Sequence, residues 1–337
     1  MKREKTVDSF TTTKGCNEGM MELRYNPLTD EWVMVSASRQ SRPTLPEDVC
    51  PLCPDGPEAL GEYDLVSFEN RFPALKKDAP EVSNESALFK KRASRGVCEV
   101  VVYTMEHNAS LPKMDVDQLQ KLVKMWKDRT LTLSKLDFVR YVFIFENRGR
   151  EVGATLDHPH GQIYAFPFIP KRIQVKVEAL EKGFNEAGRC VICSVVEEEM
   201  RTGKRIVTQN DSFIAVVPFY ARFPYEVHVY PKRHLDSIVK LDEAEERDLA
   251  SILKDVTSRY DSLFQQAFPY MMMFFQAPVN WRDLSHAFHF HVEFAPPKRD
   301  ASRMKWMASV ETGTWAFINP KLPEDAAKEL REVERVG

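Results

Sequence analysis

The chain of 337 residues contains no stretch near the eighteen or so uncharged apolar residues that a membrane-spanning helix needs, so no such span is expected. The opening segment MKREKTVDSFTTTKGCNEGMM also lacks the apolar core of a secretory signal, and the protein is expected in the cytoplasm. Without clear periodicity, residues 1–20 read as a flexible tail. An excess of one charge is missing as well. Lys and Arg number 47 against 50 Asp and Glu, a net charge of -3, so neither nucleic acid nor a membrane surface is expected as a partner. A local basic patch can still hold phosphate, which leaves small anions open as ligands. Regular strand–helix alternation is absent too, and this argues against a doubly wound parallel sheet.

Cysteine is sparse but patterned. Of the six, Cys50 and Cys53 form one C-x-x-C pair and Cys190 and Cys193 another, with Cys16 and Cys98 outside them. In a large cytoplasmic chain such pairs point to metal or redox chemistry rather than to a disulfide framework.

The order of elements runs twice. After VCPLCP come strand-like segments, His107, a helical pattern through Trp126 to Leu136, the strand candidate FVRYVFIFENRG, and DHPHGQ with His158 and His160. After a charged helical stretch from Lys171, RCVICS is followed by strands, His234, a helical pattern from Asp242 to Phe264, and the strand candidates YMMMFFQAP and AFHFHVEFAP with His289 and His291. An internal duplication accounts for this order and implies two similar α+β units of mostly antiparallel strands, residues 21–170 and 171–337, with the boundary near Pro170.

Zinc takes four nitrogen or sulfur ligands in a tetrahedron, and a C-x-x-C turn supplies two of them. Cys50, Cys53, His107 and His158 make a first set; four protein ligands leave no open position, so the site is structural. Cys190, Cys193, His234 and His289 make a parallel second set, its histidines chosen by analogy, with His228 and His291 as the alternatives. A closed site of this kind contributes on the order of 10 kcal/mol to ordering its loops. Reduced packed cysteines or a redox pair are the competing reading.

If the segment around DHPHGQ is a strand throughout, His158, His160 and Gln162 share one face. With His158 assigned to metal, His160 remains as a nucleophile. A neutral imidazole, with a reference pKa of about 6.5, attacks phosphorus without a separate base. Attack on a nucleoside diphosphate sugar gives a nucleotidyl-histidine and releases a sugar phosphate. The amide of Gln162 can donate to a phosphoryl oxygen without supplying an acidic proton, and Gly161 permits close approach of the backbone.

HPHGQ preceded by FENRG, with CPLC and EHNASL upstream, resembles the galactose-1-phosphate uridylyltransferase family of the histidine triad superfamily. The likeness runs from RYNPLTDEWVMVSASRQSRP to LPEDAAKEL. It implies a duplicated half-barrel of histidine-triad-like units with flanking helices. It also implies a homodimer whose active sites are completed across the interface, acting on UDP-hexose and hexose 1-phosphate. UDP-glucose would uridylylate His160, glucose 1-phosphate would leave, and galactose 1-phosphate would take up the UMP, while Gln162 steadies the phosphoryl oxygens. Further positions carry over singly: Arg39 and Arg42 near nucleotide and phosphates, Asn70 at the nucleotide, Asn147 on the phosphate side, Thr155 beside the reacting phosphate, and Lys305 and Glu311 on the sugar and phosphate side. Well-known members have a histidine of an iron-type second site where this chain has Phe275; CVIC resembles instead a branch that holds a second zinc. Some relatives in that branch are phosphorylases, so an ADP- or UDP-sugar phosphorylase with phosphate as acceptor is the rival enzyme reading. A zinc-stabilised nucleotide-binding protein without turnover is the non-enzymatic one.

Overall fold

The computed structural model describes residues 20–37, 39, 50–58 and 61–334; Cys16, Arg42 and most of the expected tail lie outside these. Strands β1 (Met21–Asn26) and β2 (Glu31–Ser36) form a hairpin closed by the turn at Pro27–Asp30. β3 (Val66–Glu69) leads to β4 (Lys91–Ala93), which pairs back onto β1 and completes a small three-stranded sheet. Next come β5 (Val97–Val102), α1 (Val116–Ser134), β6 (Tyr141–Arg148) and β7 (His160–Phe166). The chain then runs through α2 (Lys171–Ala187) and α3 (Val191–Thr202) to β8 (Ile206–Gln209), β9 (Phe213–Val216) and β10 (Val227–Pro231). It ends with α4 (Glu243–Leu263), β11 (Tyr270–Phe275), β12 (His291–Ala295), the short α5 (Ser309–Thr314) and α6 (Pro323–Glu332).

Nine strands make one antiparallel sheet in the order β3-β5-β7-β6-β11-β12-β10-β9-β8. Apart from the additional β8, this order reads the same from either end when β3, β5, β7 and β6 are matched with β9, β10, β12 and β11. Each half therefore contributes a four-stranded half-sheet, and the two join edge to edge where β6 pairs with β11, Phe145 opposite Met273 and Arg148 opposite Tyr270. The fold is α+β with helices flanking mostly antiparallel strands.

The helices at corresponding places start for local reasons. Asp115 caps α1 by accepting from the Gln118 backbone N–H at 2.7 Å, and Asp242 with Glu245 closes a capping box on α4. Leu119, Leu122, Val123, Trp126 and Leu133 recur at helical spacing on α1 and are buried together with Leu249, Leu253, Val256 and Tyr260 of α4. Each such side chain contributes roughly 1.5–3 kcal/mol on leaving water. Lys127 of α1 donates to Glu246 Oε1 and to the Leu241 carbonyl, both at 2.6 Å, and so ties the two helices at their polar edge. This layer also buries Ile144 of β6 and Ile163 and Ala165 of β7, the strand that carries His160.

Candidate functional site

The strand at DHPHGQ begins only at His160, which corrects the expectation that three polar side chains share one face. His158 and Pro159 precede it. Proline supplies no N–H for the ladder, so the chain enters the sheet after it. His160 and Gln162 stand on one face of β7, while His158 turns toward the loop of Cys50 and Cys53.

Cys50, Cys53, His107 and His158 converge, with all four ligand atoms within 4.8 Å of one another. The Sγ–Nδ1 separations are 3.7 Å (Cys50–His158), 3.6 Å (Cys53–His158) and 3.5 Å (Cys53–His107). Bonds of about 2.3 Å to sulfur and about 2.05 Å to nitrogen, at the tetrahedral angle, put S and N about 3.6 Å apart. The donor set therefore fits a tetrahedral metal ion. His158 Nε2–H donates to the Thr104 carbonyl at 2.7 Å, which fixes the tautomer with its lone pair on Nδ1, toward the thiols. Burial lowers the pKa of His158 and keeps the ring neutral, as a ligand must be.

The second half repeats the arrangement. Cys190, Cys193, His234 and His289 also lie with ligand atoms within 4.8 Å, at Sγ–Nδ1 separations of 3.8, 3.3 and 3.4 Å. His234 Nε2–H donates to Ser285 O at 2.7 Å and His289 Nε2–H to Pro231 O at 3.0 Å, the same orienting device as at His158. Burial pushes the Cys193 thiol up to about 12 and the His289 imidazole down to about 3. A thiol this reluctant to ionise requires a cation before it becomes a thiolate. Here C-x-x-C opens α3 instead of lying in an irregular turn, with Cys190 as the N-cap residue. Cys190→Ser should reduce the bound metal by one ion per chain and lower the melting temperature while leaving His160 competent; an unchanged metal content contradicts this site.

His228 and His291, the alternatives for this cluster, are elsewhere. His228 donates or accepts between Tyr230 (2.7 Å) and Glu226 (2.8 Å). His291 Nδ1–H donates to its neighbour's carbonyl, His289 O, at 2.8 Å, and its Nε2 accepts from the Lys176 ammonium at 2.7 Å. Glu226, His228 and Glu293 form a third compact group, but Lys176 and Arg172 already supply cations to Glu293 there. Phe275 stacks on His291 with ring centroids 5.1 Å apart, and the Lys176 ammonium sits 3.6 Å from its centroid. An aromatic ring and an ammonium thus occupy the surroundings of His291.

A cavity of about 210 Å³ is lined by Arg39, Phe145, Asn147, Gly153, Ala154, Thr155, His160, Gln162 and Tyr164. A second, of about 390 Å³, lies on the other flank of His160 and shares Asn147 with the first. Within the smaller one, His160 Nδ1–H donates to the His158 carbonyl at 2.8 Å, so the lone pair is on Nε2. Candidate metal ligand and candidate nucleophile are coupled through that one backbone group. Gln162 is oriented by a relay: Phe72 N–H donates to Asn70 Oδ1 (2.9 Å), and Asn70 Nδ2 donates to Gln162 Oε1 (3.3 Å). The Gln162 amide is thereby set with NH₂ as the group offered to a ligand. Arg39 is held by donation to the Phe72 carbonyl at 2.5 Å. Asn70→Ala should release this relay and lower turnover about 10-fold with little change in nucleotide affinity; equal turnover in steady-state kinetics would refute the relay.

Arg39, Asn147, Thr155, His160 and Gln162 are thus brought together, with Asn70 attached through Gln162. Lys305 and Glu311 are not among the residues lining either cavity beside His160. They pair with each other on the segment after β12, where Glu311 Oε2 also accepts from Ala308 N–H at 3.1 Å. The Lys305 ammonium holds the Glu311 carboxyl down to about 2. Phe145, Gly153, Ala154 and Tyr164 line the cavity without having been singled out. Of these only Gly153, at φ 83°, had a readable signal, a glycine within the loop between FENRG and HPHGQ.

Comparison with known proteins adds an independent result. The profile of the galactose-1-phosphate uridyl transferase N-terminal domain matches residues 12–170, and that of the C-terminal domain residues 176–336. The galactose-1-phosphate uridylyltransferase of Thermotoga maritima is 62% identical over 317 residues, 94% of this chain and 99% of that protein. That of Rattus norvegicus is 34% identical over 352 residues, 98% and 92% of the two chains. Among solved structures, a uridylyltransferase superposes with a TM-score of 0.85 at 33% identity, covering 92% of this chain and 97% of that one. An ADP-glucose phosphorylase from Arabidopsis thaliana with bound ADP-glucose gives 0.73 at 25% identity, covering 94% and 100%.

Proposed function

The chain belongs to the galactose-1-phosphate uridylyltransferase family, and we propose that its reaction is carried by His160 as a covalent uridylyl carrier. The activity is the exchange of galactose 1-phosphate and UDP-glucose for UDP-galactose and glucose 1-phosphate. In the first half-reaction, His160 Nε2 attacks the phosphorus next to uridine. A P–N bond forms, the P–O bond to glucose 1-phosphate breaks, and that sugar phosphate leaves with the electron pair. In the second, a phosphate oxygen of galactose 1-phosphate attacks the same phosphorus and the P–N bond breaks, which restores neutral imidazole. No proton has to be removed from the nucleophile, because Nδ1 already holds one against the His158 carbonyl. The Gln162 amide and the Arg39 guanidinium face the phosphoryl oxygens, and Thr155 and Asn147 complete the cradle.

The observation that carries this reading is the fixed tautomer of His160 beside an amide whose donors are set by Asn70. Uridine-side labelled UDP-glucose should label the protein in an acid-labile form, and galactose 1-phosphate should remove the label. Retention of label with galactose 1-phosphate but release by inorganic phosphate would instead support the phosphorylase reading, as would labelling by ADP-glucose alone.

Zinc is our assignment for both Cys₂His₂ clusters, supported by the donor chemistry and by spacings that match a tetrahedral ion. Such a metal, with four protein ligands, orders loops and takes no part in the transfer. Reduced thiols in these clusters agree with a cytoplasmic setting. We assign Lys305 and Glu311 to the sugar and phosphate side of a partner's site in a homodimer. The segment that carries them exposes Trp306, Met307, Val310, Trp315 and Ile318, an apolar surface of the kind that association covers. Sedimentation should show a species of twice the chain mass; a fully active monomer would refute the shared site. Residues 21–170 and 171–337 are taken as the two duplicated units, a division supported by the palindromic strand order.

A further inference from the structure

We propose that Tyr103 and Glu146 are positioning residues for the uridylyl transfer, forming a polar floor beneath Gly161 that fixes how His160 and Gln162 stand to one another. The inference rests on His160 as the nucleophile. Along β7, His160 and Gln162 face the cavity, and Gly161 faces the opposite way, toward the layer that contains Ile163, Ala165 and α1. A Cβ at position 161 would overlap the Tyr103 hydroxyl and would lie 3.0 Å from the Phe145 carbonyl oxygen and 3.2 Å from Tyr103 Cζ. Glycine is therefore required here by a close approach, and the group that makes the approach is a phenol.

Tyr103 has no room to retreat. Its ring is fully buried with its edge against Trp126 of α1, centroids 5.9 Å apart, and its backbone N–H donates to Pro159 O at 3.1 Å, just before the nucleophile. Behind it lies Glu146, only 5% exposed, whose Oε1 accepts from the Tyr270 hydroxyl at 2.9 Å. The Tyr103 hydroxyl stands close enough to the same carboxyl for each to shift the other's ionisation. Yet neither Tyr103 Oη nor Glu146 Oε2 completes an aligned hydrogen bond among the described residues. Burial raises Glu146 to about 7, so near neutral pH much of it is a carboxylic acid that can donate as well as accept. Tyr103 follows β5, Glu146 is on β6 and Tyr270 on β11, so the floor links the seam between the two half-sheets to the strand that bears the nucleophile.

Single-turnover uridylylation, steady-state KM and thermal melting test this on five variants. Gly161→Ala should slow transfer about 100-fold with KM unchanged, the penalty for moving a reacting group by roughly 1 Å. Tyr103→Phe alone should slow transfer about 5-fold with KM unchanged, and when added to Gly161→Ala should recover at least about 10-fold over Gly161→Ala, since the two positions share one contact. Glu146→Ala should slow transfer at least about 10-fold, whereas Glu146→Gln, of the same shape and still able to donate and accept, should stay within about 3-fold. A double variant no faster than Gly161→Ala, or Glu146→Ala at the unsubstituted rate, overturns the assignment; so does a loss confined to KM. Should Gly161→Ala fail to fold, the two Glu146 variants decide. Absence of any label on the unsubstituted protein refutes the His160 reading itself and this inference with it.

Discussion

Replacing His160 with Asn should lower turnover by at least about 10⁴-fold, because in the proposed mechanism both half-reactions pass through the P–N bond that only an imidazole at this position can form. Asn keeps the side chain polar and is small enough for the start of β7, so folding and metal content should be unchanged. Donor affinity should change little. Arg39, Asn147, Thr155 and Gln162 line the same cavity and are untouched by the substitution, so the loss should fall on kcat and not on KM. The expected signature is therefore a folded, metal-loaded protein that binds UDP-glucose and does not turn it over. Residual turnover within about 10-fold of the unsubstituted protein would mean that the acceptor attacks the nucleotide directly, with no covalent carrier.

Cys53→Ser should produce the second-largest effect, on stability and activity together. Cys53 Sγ lies within 3.6 Å of both His158 Nδ1 and His107 Nδ1, so its loss opens the first metal cluster at its centre. A complete site of this type is associated with on the order of 10 kcal/mol of folding free energy, and a three-ligand remnant keeps only part of that. His158 then keeps only Cys50 on its Nδ1 side, and the carbonyl that orients His160 belongs to the same residue. Activity should therefore fall with metal content, not only with temperature. The check is a parallel measurement of bound metal, melting temperature and turnover for Cys53→Ser and Cys190→Ser. Both should lose an ion and melt earlier, but only Cys53→Ser should lose turnover at temperatures where it is folded. Equal losses of activity would show that the first cluster has no special link to the nucleophile.

Much of this was legible because chemistry-bearing residues recur at local spacing. Two C-x-x-C pairs and two His-x-His pairs mark both Cys₂His₂ clusters, and the repeated order of strand, histidine, helix and strand marks the duplication. The helical pattern read from Asp242 to Phe264 begins at the residue that caps α4. Other features depend on contacts distant in sequence. Nothing in CVIC shows that it opens a helix, since the first pair lies in an irregular turn. The choice of His234 and His289 over His228 and His291 follows from which strand ends meet α3. The strand start at His160 depends on Pro159 and on pairing with β5, which places Val102 opposite His160. Lys305 and Glu311 carry no periodic or turn signal that locates them; in one chain they pair with each other away from His160. The Tyr103 contact with Gly161 is legible only once β5 and β7 are side by side.

In the proposed mechanism the uridylyl group rests on one nitrogen of one residue. Brief mixing with UDP-glucose, denaturing quench without acid, and peptide mapping by mass spectrometry test it most directly. One uridylyl group per chain is expected, on the peptide that contains His160, lost on mild acid treatment and absent from His160→Asn. Full exchange activity with no modified peptide, or a uridylyl group on any other residue, would contradict it.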